Sequence, residues 1–244
     1  MRYVVKPNKF RMTPLLLKRA LGARKLVSFP GRFQPALDYA RALFLAFPQR
    51  GRYPSPIVNV PDSYDFLSAF YAQSKHSQRG LLIQSGMKTP EAYASNATHF
   101  VVRPLRHFGG HDYRITTDPE DYNKDAEYIS PAFSKWREYR VVFVLGSPLI
   151  VLRKKPGPGC GPFDAWNHTS GSYFQTVHER NGPLFDTTFL SDASNFCVLR
   201  DTHIVAADVM VNSTHDYAIT EVNFSPAISI PANIEVIRNA FARP

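Results

Sequence analysis

Two apolar runs lie close together near the C-terminal end of the sequence: AADVMV at residues 206–211 and DYAITEVNFSP at residues 216–226. The tetrapeptide NSTH between them is rich in turn-forming residues, so the two runs are predicted to pair as a β-hairpin. Because side chains alternate faces along a strand, Glu221 and Asn223 point the same way, and Asp208 can lie beside them on the neighbouring strand. This polar group is costly on an apolar face unless a cation lies there, and its oxygen atoms suit Mg²⁺ bound with a nucleotide phosphate. A solvated hairpin face is an equally good interpretation of this stretch alone.

The composition is that of a folded globular protein, with 244 residues, of which 44% are hydrophobic and 20% are charged. No apolar run is long enough to span a bilayer, and the first residues lack the pattern of a secretory signal. Cys160 and Cys197 are the only cysteines and form no CxxC pair, so neither a zinc site nor a disulfide framework is expected. We therefore expect a cytoplasmic protein without a membrane partner.

The charge is concentrated at the N-terminal end of the chain. Residues 1–54 contain 12 Lys and Arg against one acid, Asp38, which is a net charge of +11, whereas the remainder has a net charge of −2. Such a basic segment suggests an anionic partner, which can be an acidic peptide, a phosphorylated substrate or a nucleic acid. A solvated basic face without a specific partner is an equally good interpretation.

Apolar periodicity and turn-forming residues predict the other elements. Helices are predicted over residues 13–22, 35–47, 63–85 and 231–241, and strands over residues 25–29, 57–60, 99–104 and 126–131. A second hairpin is predicted over residues 138–155 with Gly146, Ser147 and Pro148 at its turn, followed by a mobile Pro- and Gly-rich loop over residues 156–164. Residues 165–195 show only a weak pattern.

A cation followed by two glycines ends the strand at residues 99–104. The guanidinium of Arg103 can supply directional donors to a phosphate, and Gly109 and Gly110 allow backbone N–H groups to approach it. The motif is not a Walker A loop, because GxxxxGK[ST] is absent. By itself a Gly-Gly pair is more often an ordinary turn.

Taken in order, the sequence has a strand ending in a cation, a glycine loop, Glu-Tyr-Ile, a Glu-x-Arg hairpin ending in Arg, an Asn, and Asp followed by Glu-x-Asn. Over residues 57–230 this order resembles the ATP-grasp superfamily, and most of all its small phage and bacterial members. The glutamate-ligase and glutathione-synthetase branches are more distantly similar. The resemblance implies an α+β ATP-grasp fold in which two α+β lobes hold ATP between two β-sheets. It implies a small basic N-terminal lobe (1–55), a central lobe with the glycine loop (56–130) and a C-terminal lobe with the metal site (131–244).

The resemblance also implies roles for individual residues. Arg103 takes the position of the cation that meets the α- and β-phosphates, where Lys is more usual. The other nucleotide-binding positions are Gly109 and Gly110 in the loop that closes over the triphosphate, Glu127, Tyr128 and Ile129 in the hinge that meets adenine, and Arg153 on the phosphate side. The catalytic positions are Arg103, Arg140, Arg153 and Asn167. The Mg²⁺ ligands are Asp208, Glu221 and Asn223, and Asp208 is the less strictly acidic of these positions in the family.

The function that the resemblance implies is an ATP- and Mg²⁺-dependent carboxylate–amine ligase that works through an acyl phosphate with two Mg²⁺ ions. This chemistry needs positioning and charge neutralisation rather than a protein nucleophile, and the sequence shows no Ser-His-Asp or Cys-His arrangement. An amino acid or a peptide would be the substrate, and an acidic peptide could dock on the basic N-terminal lobe. The alternatives are an ATP-grasp kinase, and a degenerate nucleotide-binding or nucleic-acid-binding module without ligase activity.

Overall fold

The structure is a computed structural model. It describes residues 3–6, 25–28, 57–58, 75–105, 112–177, 188–196, 199, 204–223 and 231–242. The helices predicted over residues 13–22 and 35–47 lie outside the described residues, as do the first part of the helix predicted over 63–85 and the two loop glycines, Gly109 and Gly110.

The described elements are, in chain order, β1 (Tyr3–Lys6), β2 (Lys25–Ser28), β3 (Ile57–Val58), α1 (Lys75–Gln84), a 3₁₀ helix (Pro90–Asn96), β4 (Phe100–Pro104), β5 (Arg114–Thr116), β6 (Glu127–Pro131), β7 (Arg137–Val144), β8 (Ser147–Lys155), β9 (Tyr173–Thr176), α2 (Thr188–Ala193), β10 (Ile204–Val211), β11 (Tyr217–Asn223) and α3 (Pro231–Ala242). Helices and largely antiparallel sheets together confirm the expected α+β class. Among the described residues, none of the helices has the length and apolar character that a membrane crossing requires.

The described strands form three sheets. A parallel sheet has the order β2-β1-β3, so β3 joins the N-terminal strands although it lies after the lobe boundary predicted at residue 55. The small antiparallel sheet has the order β5-β4-β6, and the large antiparallel sheet has the order β11-β10-β7-β8-β9. The two antiparallel sheets contain nearly all the candidate site residues.

One face of the large sheet carries the main hydrophobic core. Leu82 of α1 and Phe189 of α2 pack against this face, and both are almost completely buried. The sheet contributes Tyr139, Val141, Phe143, Val151, Val205, Ala207, Val209, Val211, Tyr217, Ile219 and Val222. All eight residues of β10, which lies between β11 and β7, are buried, so both of its faces are covered. A near-continuous apolar run is the sequence pattern typical of such a strand.

The turn between β7 and β8 differs from the predicted one. Leu145 and Gly146 form the turn, with φ of 50° and 77°, and Ser147 and Pro148 already belong to β8. Two consecutive residues with positive φ form the type I′ turn, whose twist matches that of the flanking strands. The prediction of a turn at residues 146–148 was therefore wrong. The Gly-Ser-Pro sequence is typical of a turn, but the twist of the strands favours the tighter turn at Leu145 and Gly146.

Five short elements were not predicted: β1, the 3₁₀ helix, β5, β9 and α2. The last two lie in the weakly patterned part of the sequence, where four-residue and six-residue elements are too short to show a period. The loop after β8, which was expected to be mobile, is fixed by hydrogen bonds. Gly157 N donates to Ser172 Oγ at 2.9 Å, and a Cβ at residue 157 would lie 1.6 Å from the Ser170 carbonyl oxygen. Only glycine fits at that position.

Candidate active site

The candidate site begins with an irregularity in the hairpin β10–β11. Asp208 lies opposite Glu221, whereas the next residue of β10, Val209, lies opposite Ile219, so β11 has one extra residue, Thr220. Such a bulge shifts the register by one residue, and a one-residue shift moves a side chain to the other face of the sheet. With an unbroken register Glu221 would lie opposite Ala207 on the core face. The bulge instead places Glu221 beside Asp208 on the face opposite the core.

The same face receives Asn223, which lies opposite Ala206. Paired residues of an antiparallel ladder point to the same side, and Asp208 and Ala206 are two residues apart on β10. The structure therefore brings Asp208, Glu221 and Asn223 together, as the sequence pattern predicted. Their role as metal ligands stays a prediction.

Arg140 joins this polar face from the neighbouring strand β7, where it lies opposite Asp208. Its guanidinium forms a bidentate ion pair with Asp208, with Nε–Oδ1 at 2.6 Å and Nη2–Oδ2 at 2.7 Å. Burial acts to lower the pKa of Arg140, but Asp208 and then Glu221 outweigh burial and hold that pKa above its ordinary value. Asp208 is thus the direct ion-pair partner of Arg140, and the charge of Glu221 acts on the pKa of Arg140 in the same direction.

A second group of charges surrounds Glu138, which lies two residues before Arg140 on the same face. Lys135 Nζ lies 3.2 Å from Glu138 Oε2, and Lys154 Nζ lies 2.5 Å from Glu138 Oε1. Lys135 also donates to the carbonyl oxygen of Asp164 at 2.6 Å. Burial lowers the pKa of Lys135 below its ordinary value, although Glu138 acts in the opposite direction. The buried carboxylate of Glu138 thus holds two ammonium groups on the polar face of the large sheet.

The structure does not bring Arg153 to this polar face. Arg153 lies opposite Tyr139, whose side chain is buried in the core, whereas Lys154 lies opposite Glu138. A bulge between β7 and β8 causes this arrangement, because Val142 pairs with Ile150 but Phe143 pairs with Pro148, leaving Leu149 as an extra residue. Without the bulge Arg153 would lie opposite Glu138. Lys154 therefore lies on the polar face, whereas the phosphate-side role that the resemblance gives to Arg153 stays a prediction.

Arg103 reaches the space between the sheets from the small sheet, where it lies opposite Tyr128. Burial, and after it the neighbouring Arg79, lower the pKa of Arg103, while Tyr128 and Glu138 act in the opposite direction. A cavity of about 30 Å³ opens here between the two antiparallel sheets. Its lining includes Val101, Arg103 and Ser130 from the small sheet, Met210 and Thr220 from the large sheet, and Lys135 from the connection between them.

The three predicted hinge residues have different surroundings. Tyr128 is 5% exposed and its ring lies 5.3 Å from the imidazole of His76. Glu127 accepts hydrogen bonds from Arg114 Nη1 at 2.6 Å and from the backbone N of residue 123 at 2.9 Å, and the Arg114 bond is the main cause of its lowered pKa. Ile129 lies opposite the buried Val102, on the face away from Arg103. The structure therefore places only Tyr128 on the same face as Arg103.

Asn167 has a local structural role in the loop after β8. Its Oδ1 accepts hydrogen bonds from Ser170 N at 2.9 Å and Thr169 Oγ1 at 2.6 Å. Side-chain bonds of this kind fix a turn, and this turn shapes the loop on which Gly157 packs. The predicted catalytic role of Asn167 stays a prediction.

The donor atoms on the polar face fit a hard divalent cation. Glu221 and Asn223 offer carboxylate and amide oxygens, which are ligands that Mg²⁺ accepts. Both carboxylate oxygens of Asp208 already accept hydrogen bonds from Arg140, so a metal ion there would share Asp208 with a guanidinium. One of these three side chains, Asn223, is an amide. Within the described ranges, no three His, Cys, Asp or Glu side chains lie close enough together to hold a metal ion without such an amide.

Some residues of this site were not foreseen from the sequence. Glu138 could be found, because it lies two residues from Arg140 in a strand and therefore shares its face. Lys154 could be found only by knowing that β8 has an extra residue at Leu149. Lys135 and Arg79 lie outside the predicted motifs, and no sequence signal pointed to either.

Comparison with known proteins identifies the fold. No protein-family model matches the sequence, and the search of the curated proteins finds no match. Solved structures do match along nearly the whole chain. The ATP-grasp ligase PsnB, in complex with a phosphomimetic variant of its minimal precursor, Mg and ADP, is 11% identical, with 98% of this chain and 96% of PsnB covered and a TM-score of 0.62.

Two further solved structures match with similar coverage. D-alanine–D-alanine ligase from Bacillus anthracis in complex with ATP is 11% identical, with 99% of each chain covered and a TM-score of 0.55. The macrocyclase MdnC from Microcystis aeruginosa MRC, bound to its precursor peptide MdnA, is 13% identical, with 99% of each chain covered and a TM-score of 0.50. The fold expected from the sequence resemblance is thereby confirmed: the chain adopts the ATP-grasp fold.

Proposed function

We propose that the protein is an ATP- and Mg²⁺-dependent ligase that joins a carboxylate to an amine through an acyl-phosphate intermediate. One observation carries the proposal: in an ATP-grasp fold, Arg140, Asp208, Glu221 and Asn223 share one face of the large sheet. Arg103 approaches the space in front of that face from the small sheet. This is the space between two sheets in which an ATP-grasp protein would hold its nucleotide. The match to solved ligases supports the reaction class.

The charged residues of the site can be assigned separate roles. Arg103, Lys135 and Lys154 would neutralise the phosphates, and Lys154 takes this role in preference to Arg153 because it shares the face of Glu138. Glu221 and Asn223 would hold Mg²⁺, which would supply charge neutralisation to the triphosphate when bound. Arg140 would lie beside the reacting groups while it compensates Asp208.

The reaction proceeds in two balanced steps. A substrate carboxylate oxygen bonds to the γ-phosphorus of ATP, the bond from that phosphorus to the bridging oxygen breaks, and ADP leaves with the electron pair. The amine nitrogen then bonds to the acyl carbon, the bond from that carbon to the phosphate oxygen breaks, and the nitrogen loses a proton as phosphate departs. Fixed cations that face the transferring group stabilise both transition states without covalent participation by the protein.

A peptide or amino acid is the substrate class that we propose. PsnB and MdnC are solved with precursor peptides, and D-alanine–D-alanine ligase is named for an amino acid substrate. The net charge of +11 over residues 1–54 supports an acidic peptide docking on an N-terminal lobe of about residues 1–55. Central and C-terminal lobes, divided near residue 130, would enclose the nucleotide.

The second candidate is a nucleotide-binding module without ligase activity. The bidentate pair between Arg140 and Asp208 favours it, because this pair occupies a predicted metal ligand. An ATP-grasp kinase would use the same nucleotide site but would leave a stable phosphorylated product instead of free phosphate.

Thermal unfolding with ATP, with and without Mg²⁺, tests the proposal on wild type, Glu221→Gln and a control variant, Glu120→Gln. The Glu120 side chain is 74% exposed, so its neutralisation removes one carboxylate without touching the site. A ligand at about 100 times its dissociation constant stabilises a protein by about 2.7 kcal/mol. We expect a Mg²⁺-dependent shift in wild type and the control, and none in Glu221→Gln.

Release of ADP and phosphate in the presence of candidate acids and amines then separates the alternatives. Phosphate release that requires both substrates supports the ligase, and a phosphorylated product without free phosphate identifies a kinase. Nucleotide binding without turnover across a broad substrate panel supports the binding module. Absence of any ATP-dependent shift in folded wild-type protein would contradict the nucleotide site itself.

A further inference from the structure

The bulge at Thr220 decides which face Glu221 occupies, so whatever holds the bulge also holds the candidate metal site. Among the described strands, β11 lies at an edge of the large sheet, since its one neighbour in the sheet order is β10. An edge strand presents backbone groups that no neighbouring strand satisfies. Here the 3₁₀ helix, the residues before it and α1 lie near that edge and contact the backbone just before the bulge and at the bulge itself.

Arg79 of α1 makes the contact at the bulge itself. Its Nη2 donates to the carbonyl oxygen of Thr220 at 3.2 Å, while its Nη1 donates to Glu91 Oε1 at 3.1 Å. Arg79 is 5% exposed, so its guanidinium is fixed by packing as well as by these two acceptors. One guanidinium therefore ties the extra residue of β11 to a carboxylate on the 3₁₀ helix.

Two other hydrogen bonds complete the arrangement. Ile219 N donates to the carbonyl oxygen of Lys88 at 2.8 Å, just before the bulge. Thr220 Oγ1 donates to the carbonyl oxygen of Asp208 at 3.1 Å, which ties the bulge across to β10. The backbone at Ile219 and Thr220 is thus held from outside the sheet, and the Thr220 side chain is held from within it.

We propose that Arg79, held by Glu91, is a positioning residue that fixes the bulge at Thr220 and so aims Glu221 and Asn223 at the metal ion of the site. The inference rests on the proposed function, because it presupposes that these two residues hold Mg²⁺. Arg79 acts on the metal through the backbone of Thr220 and supplies no ligand atom of its own. Loosening the bulge therefore weakens the binding of the metal ion more than the binding of the nucleotide.

Lysine at position 79 tests this role sharply. Arg79→Lys keeps the positive charge, but a single ammonium nitrogen cannot reproduce the fork that reaches Glu91 with one nitrogen and Thr220 with the other. Lys88→Met is the matched control, because it removes an ion pair between the 3₁₀-helix side and the same hairpin, Lys88 Nζ to Asp216 Oδ1. The control leaves the backbone bond from Ile219 intact.

Two titrations by calorimetry give the readout: ATP in the presence of EDTA, and Mg²⁺ into the protein saturated with ATP. We expect Arg79→Lys to raise the Mg²⁺ concentration for half-saturation about tenfold, a change of about 1.4 kcal/mol. Its affinity for metal-free ATP should stay within about twofold of wild type. Lys88→Met should match wild type in both titrations. Thr220→Val removes the hydrogen bond from the Thr220 hydroxyl to the Asp208 carbonyl oxygen. It should therefore also raise the Mg²⁺ concentration for half-saturation.

Each outcome separates the claims. If wild type binds ATP without any response to Mg²⁺, the proposed function fails and the positioning role fails with it. If wild type responds to Mg²⁺ and Arg79→Lys has an unchanged half-saturation, the positioning role alone is wrong. If Arg79→Lys loses metal-free ATP affinity as much as Mg²⁺ affinity, Arg79 contacts the nucleotide directly, which also overturns the proposal. If Arg79→Lys does not fold, the Mg²⁺ half-saturation of Thr220→Val decides in its place.

Discussion

The two hairpins of the large sheet, β7–β8 and β10–β11, have the same irregularity with different surroundings. Each has one extra residue, Leu149 in the first and Thr220 in the second, and each extra residue selects which charged side chain joins the polar face. The bulge at Leu149 lies near an exposed turn, because Leu145 of the turn and the first two residues of β8, Ser147 and Pro148, are all exposed. The bulge at Thr220 lies between core residues and the candidate metal ligands. We therefore expect the extra residue to contribute little to stability in β7–β8 and more in β10–β11.

Deleting each extra residue tests this difference most directly. Deletion of Thr220 lets β11 pair without a break, since Ile219 can stay opposite Val209 and Glu221 opposite Asp208, but it removes the carbonyl oxygen that Arg79 binds. Leaving the buried guanidinium without this acceptor costs roughly 1–3 kcal/mol. Deletion of Leu149 also leaves the neighbouring pairs in place and removes only a half-buried side chain next to an exposed turn, so it should cost less. Urea unfolding of the two deletion variants measures both values, and equal losses would contradict the comparison.

The polar face itself depends on the pair between Arg140 and Asp208. Arg140→Met leaves Asp208 buried beside Glu221 without its cation, and breaking a buried pair in this way costs about 3–5 kcal/mol. Mg²⁺ should recover part of this loss, because it can compensate the two carboxylates. Urea unfolding with and without Mg²⁺ measures the effect. A variant that loses stability but gains nothing from Mg²⁺ would show that no metal binds near Asp208.

The bulge at Leu149 predicts that Lys154, and not Arg153, faces the nucleotide. Lys154→Met should weaken ATP binding about tenfold, or about 1.4 kcal/mol, because it removes a cation from the polar face. Arg153→Met removes a cation of the same charge from the other face and should change the affinity less than about twofold. Fluorescence titration with an ATP analogue compares the two. The reverse ranking would restore Arg153 to the role that the sequence pattern gave it.

The smallest expected effect concerns the turn of β10–β11, far from the bulge. Burial acts to raise the pKa of Asp216, but hydrogen bonds, of which that from Lys88 is the largest, hold this pKa below its ordinary value. A carboxyl whose folded pKa is lowered stabilises the protein above its unfolded pKa of about 4, and this contribution is lost as the pH falls through the folded value. Lys88→Met should lose about 0.5 kcal/mol at neutral pH.

Stability measured against pH checks this expectation. The difference between wild type and Lys88→Met should shrink as the pH falls below about 4, since protonation of Asp216 removes the partner of Lys88 in wild type as well. A difference that stays constant down to low pH would assign the stabilisation to the packing of Lys88 on Tyr93 and Tyr217, whose ring centroids lie 5.1 and 5.5 Å from its Nζ.

The parts of the fold that follow from local patterns could be predicted from the sequence. The two hairpins, β4, β6 and α3 have clear apolar periods, and the α+β class follows from them. The grouping of Asp208, Glu221 and Asn223 was also predicted, because they lie in paired strands. The short elements β9 and α2 could not be predicted, since they are stabilised by packing on neighbouring strands rather than by a period of their own.

The site was less predictable for the same physical reason. Strand alternation assigns a face to each residue only when the register is unbroken, and neither bulge has a sequence signal. Thr220 becomes the extra residue because a distant guanidinium and a cross-strand carbonyl bind it, and these contacts exist only in the folded chain. The predicted phosphate-side role of Arg153 rested on its place near the end of β8. The extra residue Leu149 shifts the register of that strand, and so determines which of its final residues lie on the polar face.

The burial of β10 on both faces has a consequence for the dynamics of the molecule. A strand enclosed in this way exchanges its amide hydrogens only when the whole sheet opens, so its amides report the global free energy of unfolding. Asp208 lies on that strand, whereas Glu221 and Asn223 lie on the edge strand beside it, which can open locally at lower cost. The candidate site thus combines Asp208, on a strand that opens only with the whole sheet, with Glu221 and Asn223, on a strand that opens more easily. Exchange rates along β11, compared with those of β10, would report how firmly the site is closed.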